Sequence, residues 1–347
     1  MGSLIGLPPH TMFMDDIYPA ELKVIAALQN CGDFSTVMNL FSYLGYEVIL
    51  GLLVLTYLGI NSKAGVRLLF VFLLGGALHN MFKLGLHLPR PYWIDPHIQT
   101  FGLKPSTNYG MPSGHSQWAT SCWLALAAML KKAWAWVAAL VIILLVAISR
   151  VYLGSHFFSD VLGGFLLGLI VLVLYFWLER KAVPWLGRLD FRAQIGTAFF
   201  VALTVVLGGF GVRAGIAGRP DPETWVAFAG KARDLSSLVG VAGGILGAGT
   251  GLAMSKRWAR FDAGGPMLKR AIRLVIAGLG VYGIIKGLEK VFPRDPEALA
   301  LAFTFIRAAL GGWWLIFLAP WLFLKWRLAE PAHEWLEATK QMRTPKQ

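Results

Sequence analysis

Nine long apolar runs, separated by short polar segments, constrain this chain more than any other feature of its sequence. Each run approaches the roughly 20 apolar residues that a helix needs to cross a bilayer. We predict spans at about residues 35–59, 64–88, 113–130, 133–153, 156–178, 193–212, 235–254, 268–288 and 298–324. The sequence therefore predicts an all-α fold, a polytopic membrane bundle of about nine transmembrane helices.

The composition favours a membrane protein over a nucleic-acid-binding one. Hydrophobic residues make up 56% of the chain and charged residues only 15%, whereas a soluble domain carries about 25% charged residues. The formal net charge is +13, but the cations lie between the apolar runs. Because they form no basic stripe interleaved with stacking aromatics, we expect no nucleic-acid partner.

The predicted spans divide the chain into four parts. Residues 1–34 form an N-terminal segment, in which residues 16–30 have the pattern of an amphipathic helix lying on the membrane. Residues 35–180 hold five spans, residues 181–330 hold four more, and residues 331–347 form a cytoplasmic tail. The sequence does not indicate an oligomeric state.

Lysine and arginine are distributed unequally between the two sets of loops. Most of the 32 basic residues fall on one side of the predicted spans, and the positive-inside rule places that side in the cytoplasm. Spans alternate in direction, so the span ends that carry Lys83, Ser113, Arg150 and His156 all share the opposite face. We therefore expect these four residues on the periplasmic, extracellular or lumenal side of the membrane.

The first polar cluster on that face, KLGLHLPRP, contains Lys83 and Arg90. They are seven residues apart, which is about two helical turns. Pro89 and Pro91 should end the helix, and a residue before proline avoids the helical region, so Arg90 should project from extended chain. An arginine held in this way can bind two phosphate oxygens, while lysine adds a point charge. Alone, the pattern is more typical of a basic helix terminus than of a phosphate site.

The second cluster is PSGH, from Pro112 to His115. Pro112 suits the first position of a helix. The N–H groups of Ser113, Gly114 and His115 would then point at an anion, assisted by the helix dipole. His115 could protonate a leaving oxygen. The structural alternative is a polar cap on the third span.

The third cluster, SRVYLGSHFFSD, contains Arg150, His156 and Asp160. The histidine and the aspartate are spaced i, i+4, on one face of a helix. A carboxylate there can hold one imidazole nitrogen and leave the other as a directed nucleophile. Arg150 would be a further phosphate ligand. A lone His/Asp pair is often structural, but this one shares a membrane face with the other two clusters.

In this order, the motifs Lys83-x6-Arg90-Pro91, Pro112-Ser113-Gly114-His115 and Ser149-Arg150-x5-His156-x3-Asp160 resemble those of the type-2 phosphatidic acid phosphatase family. The resemblance covers roughly residues 60–175. It implies a helical catalytic core, no metal or cofactor, and a phosphohistidine intermediate. His156 would be the nucleophile, His115 the acid, and Asp160 the residue that orients His156. The phosphate-binding residues would be Lys83, Arg90, Ser113, Gly114 and Arg150.

Substrate class is less constrained by these motifs. The nine-span layout and FKLGLHLPRPYWI are similar to glucose-6-phosphatase, whose pattern usually lacks a carboxylate where Asp160 stands. NYGMPSGH and SRVYLGSHFFSD are similar to sphingosine-1-phosphate phosphatases and bacterial lipid phosphatases. We therefore expect a lipid substrate: phosphatidate, a sphingoid-base phosphate or a polyprenyl diphosphate. The alternatives are a sugar phosphate, or a transporter or binding protein without turnover, which would not need two histidines with divided roles.

Three further residues are candidates for a supporting role or a place on the substrate path. His79 and Asn80 share a polar stripe with Lys83 and His87 on the second span, and we expect them to support Lys83. Polar groups satisfied inside the bundle are the alternative. Arg307 lies inside the last span, where an arginine is a functional candidate. We expect Arg307 to face the bundle or the substrate cavity.

The glycine-rich run GVAGGILGAGTG, at 240–251, could be taken for a nucleotide-binding loop. It lacks the Gly-Lys-Ser/Thr that a P-loop requires. Its glycines are spaced as in small-residue helix packing, so we expect them to form a helix–helix contact of the seventh span.

Overall fold

The protein is described here from a computed structural model, which covers residues 12–101, 106–293 and 295–332, without the side chains of residues 12–15, 224, 226 and 227. Within these residues the chain forms helices and turns, with a single isolated bridge between Phe261 and Pro331. The all-α prediction is therefore confirmed. The cations Lys104, Arg294, Lys340, Arg343 and Lys346, and nearly all of the expected tail, lie outside the described residues.

The described residues of the first half of the chain form nine α-helices. Their bounds are α1 Met12–Asn30, α2 Ser35–Tyr43, α3 Glu47–Leu55, α4 Ser62–Leu86, α5 Pro91–Ile94, α6 Gly114–Trp118, α7 Leu124–Leu130, α8 Ala133–Tyr152 and α9 Phe158–Arg188. Two π-helical turns continue these helices, Thr56–Ile60 after α3 and Ala119–Trp123 between α6 and α7.

Seven more helices lie in the part of the second half that the structure describes. Their bounds are α10 Phe191–Gly215, α11 Val226–Ala229, α12 Ser236–Trp258, α13 Met267–Tyr282, α14 Leu288–Val291, α15 Glu297–Trp313 and α16 Ala319–Lys325. A 3₁₀ turn, Glu223–Trp225, precedes α11, and π-helical turns join α13 to α14 and α15 to α16.

Eight helical stretches in the described part are long and apolar enough to cross a membrane. They are Ser35–Ile60, Ser62–Ile94, Ala133–Tyr152, Phe158–Arg188, Phe191–Gly215, Ser236–Trp258, Met267–Val291 and Glu297–Lys325. Each overlaps one predicted span. The remaining prediction, 113–130, is helical from Gly114 to Leu130, but in three pieces of five, five and seven residues. A polytopic bundle is therefore confirmed. Of the nine predicted spans, eight correspond to a helical stretch of sufficient length and hydropathy in the described residues.

The helices form two compact units. One comprises the described residues within Met1–Leu50, Leu74–Trp177 and Gly208–Leu235, and is called the motif unit below because it holds all three polar clusters. The other comprises those within Gly51–Leu73, Leu178–Leu207 and Ser236–Gln347, and is called the extension unit. Both units draw on separated stretches of the chain, because distant helices pack together.

Alanine side chains allow close packing between α7, α8 and the π-helical turn before α7. A buried cluster of the motif unit consists of Ala119, Leu124, Ala127, Ala135, Ala139, Ile143 and Val146. Small residues let helices approach closely where lipid tails give no hydrophobic drive for association. The other face of α8 exposes large apolar side chains, including Trp134, Val137, Leu140 and Leu144. That division suits a helix with one face in lipid and one in the bundle.

Glycines let α12 and α15 approach closely in the extension unit. A Cβ added at Gly243 would lie 2.3 Å from the carbonyl oxygen of Phe305, and one at Gly247 would lie 1.9 Å from that of Ala309. No side chain fits at either place. The prediction that this glycine run forms a helix–helix contact is therefore confirmed.

Candidate active site

Lys83 lies in the last turn of α4, buried against the loop before α6. Its Nζ donates to the carbonyl oxygens of Tyr109, at 2.8 Å, and Gly110, at 3.1 Å. The helix ends at Leu86, ahead of Pro89, as predicted. The ammonium is thus fixed by backbone carbonyls, which hold its position without neutralising its charge.

Arg90 follows in extended chain, with φ −106° and ψ 160°, which confirms the conformation predicted from the flanking prolines. Asn108 accepts two bonds from its guanidinium: Nε donates to the backbone oxygen at 2.7 Å and Nη2 to Oδ1 at 2.5 Å. Nη1 donates to the carbonyl oxygen of Ser155 at 2.9 Å and lies 3.3 Å from Nε2 of His156. The buried guanidinium is therefore locked beside the imidazole of His156.

The imidazole of His156 is oriented by the start of α9. Its Nδ1 lies 3.2 Å from Oδ2 of Asp160, and the same oxygen accepts the N–H of Phe157 at 3.1 Å. An acidic side chain in the first turn that binds back to the residue before the helix is half of a capping box. His156 itself precedes α9, so the expectation that it shares a helix face with Asp160 is wrong. The helix cap brings the two together instead.

A hydrogen bond across the site joins PSGH to the same aspartate. The N–H of Ser113 donates to the backbone oxygen of Asp160 at 2.9 Å, so this N–H is not free for an anion. Helix α6 begins at Gly114 with Ser113 as its N-cap. Pro112 therefore lies before the helix rather than at its first position. Both expectations were wrong because a tertiary contact, absent from local sequence rules, sets the conformation here.

Close packing surrounds Gly114 and His115. A Cβ at Gly114 would lie 2.8 Å from the ring of Trp118 and 3.1 Å from that of His79. His115 is half-buried, its ring centroid 6.1 Å from that of Tyr46. The charges of Arg150, Arg90 and Lys83 act on its imidazole.

Arg150 connects the end of α8 to the His156 loop. Its Nη1 donates to Oγ of Ser42 at 2.5 Å. Its backbone oxygen accepts the N–H groups of Ser155, at 3.2 Å, and His156, at 3.3 Å. The residue therefore places a cation near the site and fixes the backbone that carries the imidazole.

The polar stripe predicted on the second span is only partly present. Asn80 donates to the carbonyl of Gly76 in its own helix at 2.7 Å, and the ring of His79 lies 4.9 Å from that of Trp118. His87 has φ 56° and leaves the helix, so its expected place on the stripe is wrong. The described contacts of Lys83 are carbonyl oxygens, so the support expected from His79 and Asn80 comes from the backbone.

Arg307 belongs to the extension unit, unlike the other candidates. Its Nη1 lies 3.9 Å from Oε2 of Glu289, and its side chain is 21% exposed. The structure thus gives this intramembrane arginine an acidic partner within its own unit. A role for it at the substrate stays a prediction.

The protonation state of His156 follows from its surroundings. Burial lowers the pKa of His156 well below its ordinary value, and the charges of Arg90 and Lys83 lower it further. The carboxylate of Asp160 has the opposite influence, because a negative charge favours the imidazolium. The structure places the imidazole among buried cations, so it is neutral at neutral pH and able to act as a nucleophile.

Several residues of the site carry no signal that sequence reasoning used. Asn108, Tyr109 and Gly110 hold the two cations of the first cluster, two of them through backbone oxygens alone. Glu21 in α1 accepts the N–H of Ser159 at 3.0 Å and its hydroxyl at 3.1 Å. It thereby caps α9 from outside. NYGMPSGH contains Asn108 and Tyr109, but neither residue was a candidate from the sequence, and nothing in the sequence pointed to Glu21.

The chemistry available is therefore that of two imidazoles, one carboxylate and three cations. Among the described residues, no group of three or more His, Cys, Asp or Glu side chains is placed to hold a metal ion. The neutral imidazole of His156 can form a bond to an electrophile, and Arg90 beside it can stabilise negative charge on that electrophile. His115 can exchange a proton.

Family models match two parts of the chain. Residues 64–184 match the PAP2 superfamily, and residues 239–331 match the transmembrane extension of PAP2 superfamily phosphatases. The first match contains all three polar clusters, and the second contains most of α12 to α16. No solved structure gave a significant match.

Among curated proteins, the chain is 34% identical over 126 residues to phosphatidylglycerophosphatase B of Bacillus subtilis (34% of this chain, 59% of that protein). It is 33% identical over 110 residues to undecaprenyl-diphosphatase of Sulfolobus acidocaldarius (31% and 52%). It is 24% identical over 293 residues to glucose-6-phosphatase catalytic subunit 1 of Rattus norvegicus (72% and 78%). The chain thus spans about half the length of the first two relatives.

Proposed function

Since the chain belongs to the PAP2 superfamily, we propose that it is an integral membrane phosphatase. It hydrolyses the phosphomonoester or diphosphate of a lipid through a phosphohistidine intermediate, without a metal. The observation that carries the proposal is the geometry of His156: Nδ1 faces Asp160 at 3.2 Å, and Nε2 faces the guanidinium of Arg90 at 3.3 Å. Asp160 thus holds Nδ1, while Nε2 is directed at Arg90, which would bind the phosphate.

In the first step, Nε2 of His156 attacks phosphorus, and the bond from phosphorus to the leaving oxygen breaks. The proton on Nδ1 stays directed at Asp160, which stabilises the positive charge that develops on the imidazole. The products are a phosphohistidine and an alcohol, or a lipid monophosphate when the substrate is a diphosphate.

Cations stabilise the charge that spreads over the equatorial oxygens of the transferring phosphoryl group. Arg90, Lys83 and Arg150 supply that charge from buried positions. Two of the three are held by backbone carbonyls, so they need little reorganisation when the substrate arrives. Ser113 and Gly114 would line the same pocket, with the N–H of Gly114 as a further donor.

His115 supplies the proton that the leaving oxygen takes. The surrounding cations disfavour a protonated imidazole, but a bound phosphate brings two negative charges that offset them. The acid is therefore formed together with the enzyme–substrate complex. In the second step, His115 accepts a proton from the water that attacks phosphorus, and the bond from phosphorus to His156 breaks to release inorganic phosphate.

A lipid substrate is supported by the names of the two bacterial and archaeal relatives, a phosphatidylglycerophosphatase and an undecaprenyl-diphosphatase. It is also supported by the carboxylate at Asp160. A sugar phosphate is the second candidate, favoured by the match that runs along 78% of rat glucose-6-phosphatase. The cation distribution along the chain supports a site on the non-cytoplasmic face.

The test is phosphate release by the purified protein in the presence of a chelator. The panel contains phosphatidate, sphingosine 1-phosphate, an isoprenoid diphosphate and glucose 6-phosphate, with His156→Ala as the blank. We expect release from at least one lipid. Release from glucose 6-phosphate alone would favour the sugar-phosphate alternative. Absence of release from all four would favour a binding protein, and dependence on added metal would contradict the mechanism.

A further inference from the structure

A polar cluster outside the three motifs centres on Asp221, in the segment between α10 and α12. Its Oδ1 accepts a hydrogen bond from the hydroxyl of Tyr109 at 2.9 Å and contacts Nε2 of His87. Its Oδ2 accepts from Nε of Arg233 at 3.2 Å. We call these four residues the Asp221 cluster. None of them was a candidate site residue.

The segment that carries Asp221, residues 216–235, is tied together by the same arginine. Arg233 donates to the carbonyl oxygen of Ile216 at 3.1 Å and to that of Arg219. The segment is therefore folded around a carboxylate whose other ligands, His87 and Tyr109, come from elsewhere in the motif unit. A segment held in this way can fix the positions of His87 and Tyr109.

Tyr109 connects the Asp221 cluster to the phosphate-binding cations. The carbonyl oxygen of Tyr109 accepts from Lys83, as does that of Gly110, and the carbonyl of Asn108 accepts from Arg90. The Tyr109 side chain is fully buried, and its hydroxyl ends on Asp221. Asp221 thus holds the side chain of Tyr109. The backbone oxygens of Tyr109 and its neighbours Asn108 and Gly110 bind Lys83 and Arg90.

Aromatic packing joins the segment to the chain beyond Arg90. The ring of Phe228 stacks on that of Trp93, with centroids 6.2 Å apart, and meets the edge of Tyr92 at 5.7 Å. Trp225 is fully buried, 6.1 Å from Trp93 and 6.3 Å from the ring of His87. The segment therefore packs against the chain that follows Arg90, and it also contacts Tyr109, next to the Asn108 that binds Arg90.

Backbone conformation and charge indicate that the cluster is stably formed. His87 has φ 56°, which is unfavourable for a non-glycine residue and persists where surrounding contacts hold it. Burial alone would raise the pKa of Asp221, but His87, Tyr109 and Arg233 hold it below its ordinary value. Burial and Asp221 raise the pKa of Tyr109. At neutral pH, the charged carboxylate of Asp221 therefore accepts a hydrogen bond from the protonated hydroxyl of Tyr109.

We propose that residues 216–235 are a positioning element of the phosphate site, in which Asp221 fixes Tyr109 and thereby the carbonyl oxygens that hold Lys83 and Arg90. The inference rests on the proposed function, because it assumes that these two cations bind the transferring phosphoryl group. Asp221 does not contact phosphate in this account. Its loss should let both cations move, and a small displacement of such groups costs catalysis more than folding.

The experiment compares full-length Asp221→Asn, Tyr109→Phe and the double variant, with Glu223→Gln as the matched control. Glu223 lies exposed in the same segment. Steady-state kcat and KM are measured with the best substrate of the panel, and affinity for inorganic phosphate is measured by calorimetry. We expect each single variant to lower kcat/KM by about 10-fold, mostly through kcat, and to weaken phosphate binding. Glu223→Gln should match wild type.

Coupling separates positioning through Tyr109 from a general structural role. If Asp221 acts through the Tyr109 hydroxyl, the double variant should be no more than about 2-fold worse than Asp221→Asn. Losses that multiply would overturn the inference, as would an Asp221→Asn enzyme as active as Glu223→Gln. Should Asp221→Asn fail to fold, Tyr109→Phe, which removes one hydroxyl, must still lower kcat/KM.

Failure of the proposed function gives a different pattern. Wild type would then release no phosphate from the panel, and the calorimetric comparison would decide the inference alone. Weaker binding of inorganic phosphate to Asp221→Asn than to Glu223→Gln would support it. Equal binding by the two, or absence of binding by wild type, would overturn it.

Discussion

The site of the motif unit and the α12–α15 contact of the extension unit are built in opposite ways. In the site, buried charged side chains are held by hydrogen bonds, as Arg90 is held by Asn108 and Ser155. In the α12–α15 contact, the decisive feature is that side chains are missing at Gly243 and Gly247. The site thus depends on particular hydrogen-bonding groups at particular positions, whereas the α12–α15 contact depends on the absence of side-chain volume.

This difference predicts two kinds of variant. Substitutions of similar size in the site should reduce turnover with little change in the free energy of unfolding. Substitutions that add even one carbon to the α12–α15 contact should reduce stability and leave the kcat of the folded molecules unchanged.

Replacing His156, the proposed nucleophile, should have the largest effect. His156→Ala should lower kcat by at least about 10³-fold, because the covalent step has no substitute for Nε2. The control is His97→Ala, which removes an exposed imidazole from the same unit. Equal activity of these two variants would remove His156 from the mechanism.

Replacing the guanidinium while keeping its charge should have the next largest effect. Arg90→Lys should lower kcat/KM by about 10²-fold, because lysine cannot reproduce the fork that bonds Asn108 and faces His156. The exposed Arg192→Lys serves as control. A loss of less than about 2-fold would mean that charge alone suffices at this position.

Adding a methyl group to the α12–α15 contact should affect stability instead. Gly247→Ala should lower the free energy of unfolding by about 1–3 kcal/mol, since overpacking forces the backbones apart. Gly278→Ala, in α13, is the control because a Cβ there meets no atom within 4 Å. Denaturation in detergent measures both. A Gly247→Ala variant with lower kcat and unchanged stability would contradict a purely steric role for this contact.

The acid limb of the pH profile should report the environment of His156. Because its pKa is lowered by burial and by nearby cations, the neutral nucleophile persists at pH values where an ordinary histidine, with a pKa of about 6.5, is protonated. Activity should therefore fall only as the pH drops through a value below about 6.5. The measurement is kcat/KM against pH, corrected for the ionisation of the substrate. A limb centred above that value would contradict the assignment.

The sequence predicted the structure correctly where the signal is local. Hydropathy and alternation predicted that the three clusters share one membrane face. The structure places Lys83, Arg90, Arg150 and His156 in one connected network. Extended chain at Arg90 followed from its flanking prolines. The glycine contact of α12 followed from residue spacing.

It failed where tertiary contacts outweigh local preference. Helix α6 starts after Ser113 because the N–H of Ser113 donates to the backbone oxygen of Asp160. The preference of proline for the first helical position cannot predict that tertiary bond. His87 leaves its helix for Asp221, more than a hundred residues away. The roles of Tyr109 and Gly110 were hidden because backbone oxygens do the binding, and every residue type has one.

The most direct test of the account is to look for the covalent intermediate. Wild-type protein is mixed with a hydrolysed substrate, quenched in base within milliseconds, and digested for mass spectrometry. We expect a phosphoryl group on the peptide that contains His156, labile to acid, absent from His156→Ala and present in His97→Ala. Turnover with phosphate found on another residue, or an equal label in His156→Ala, would contradict it.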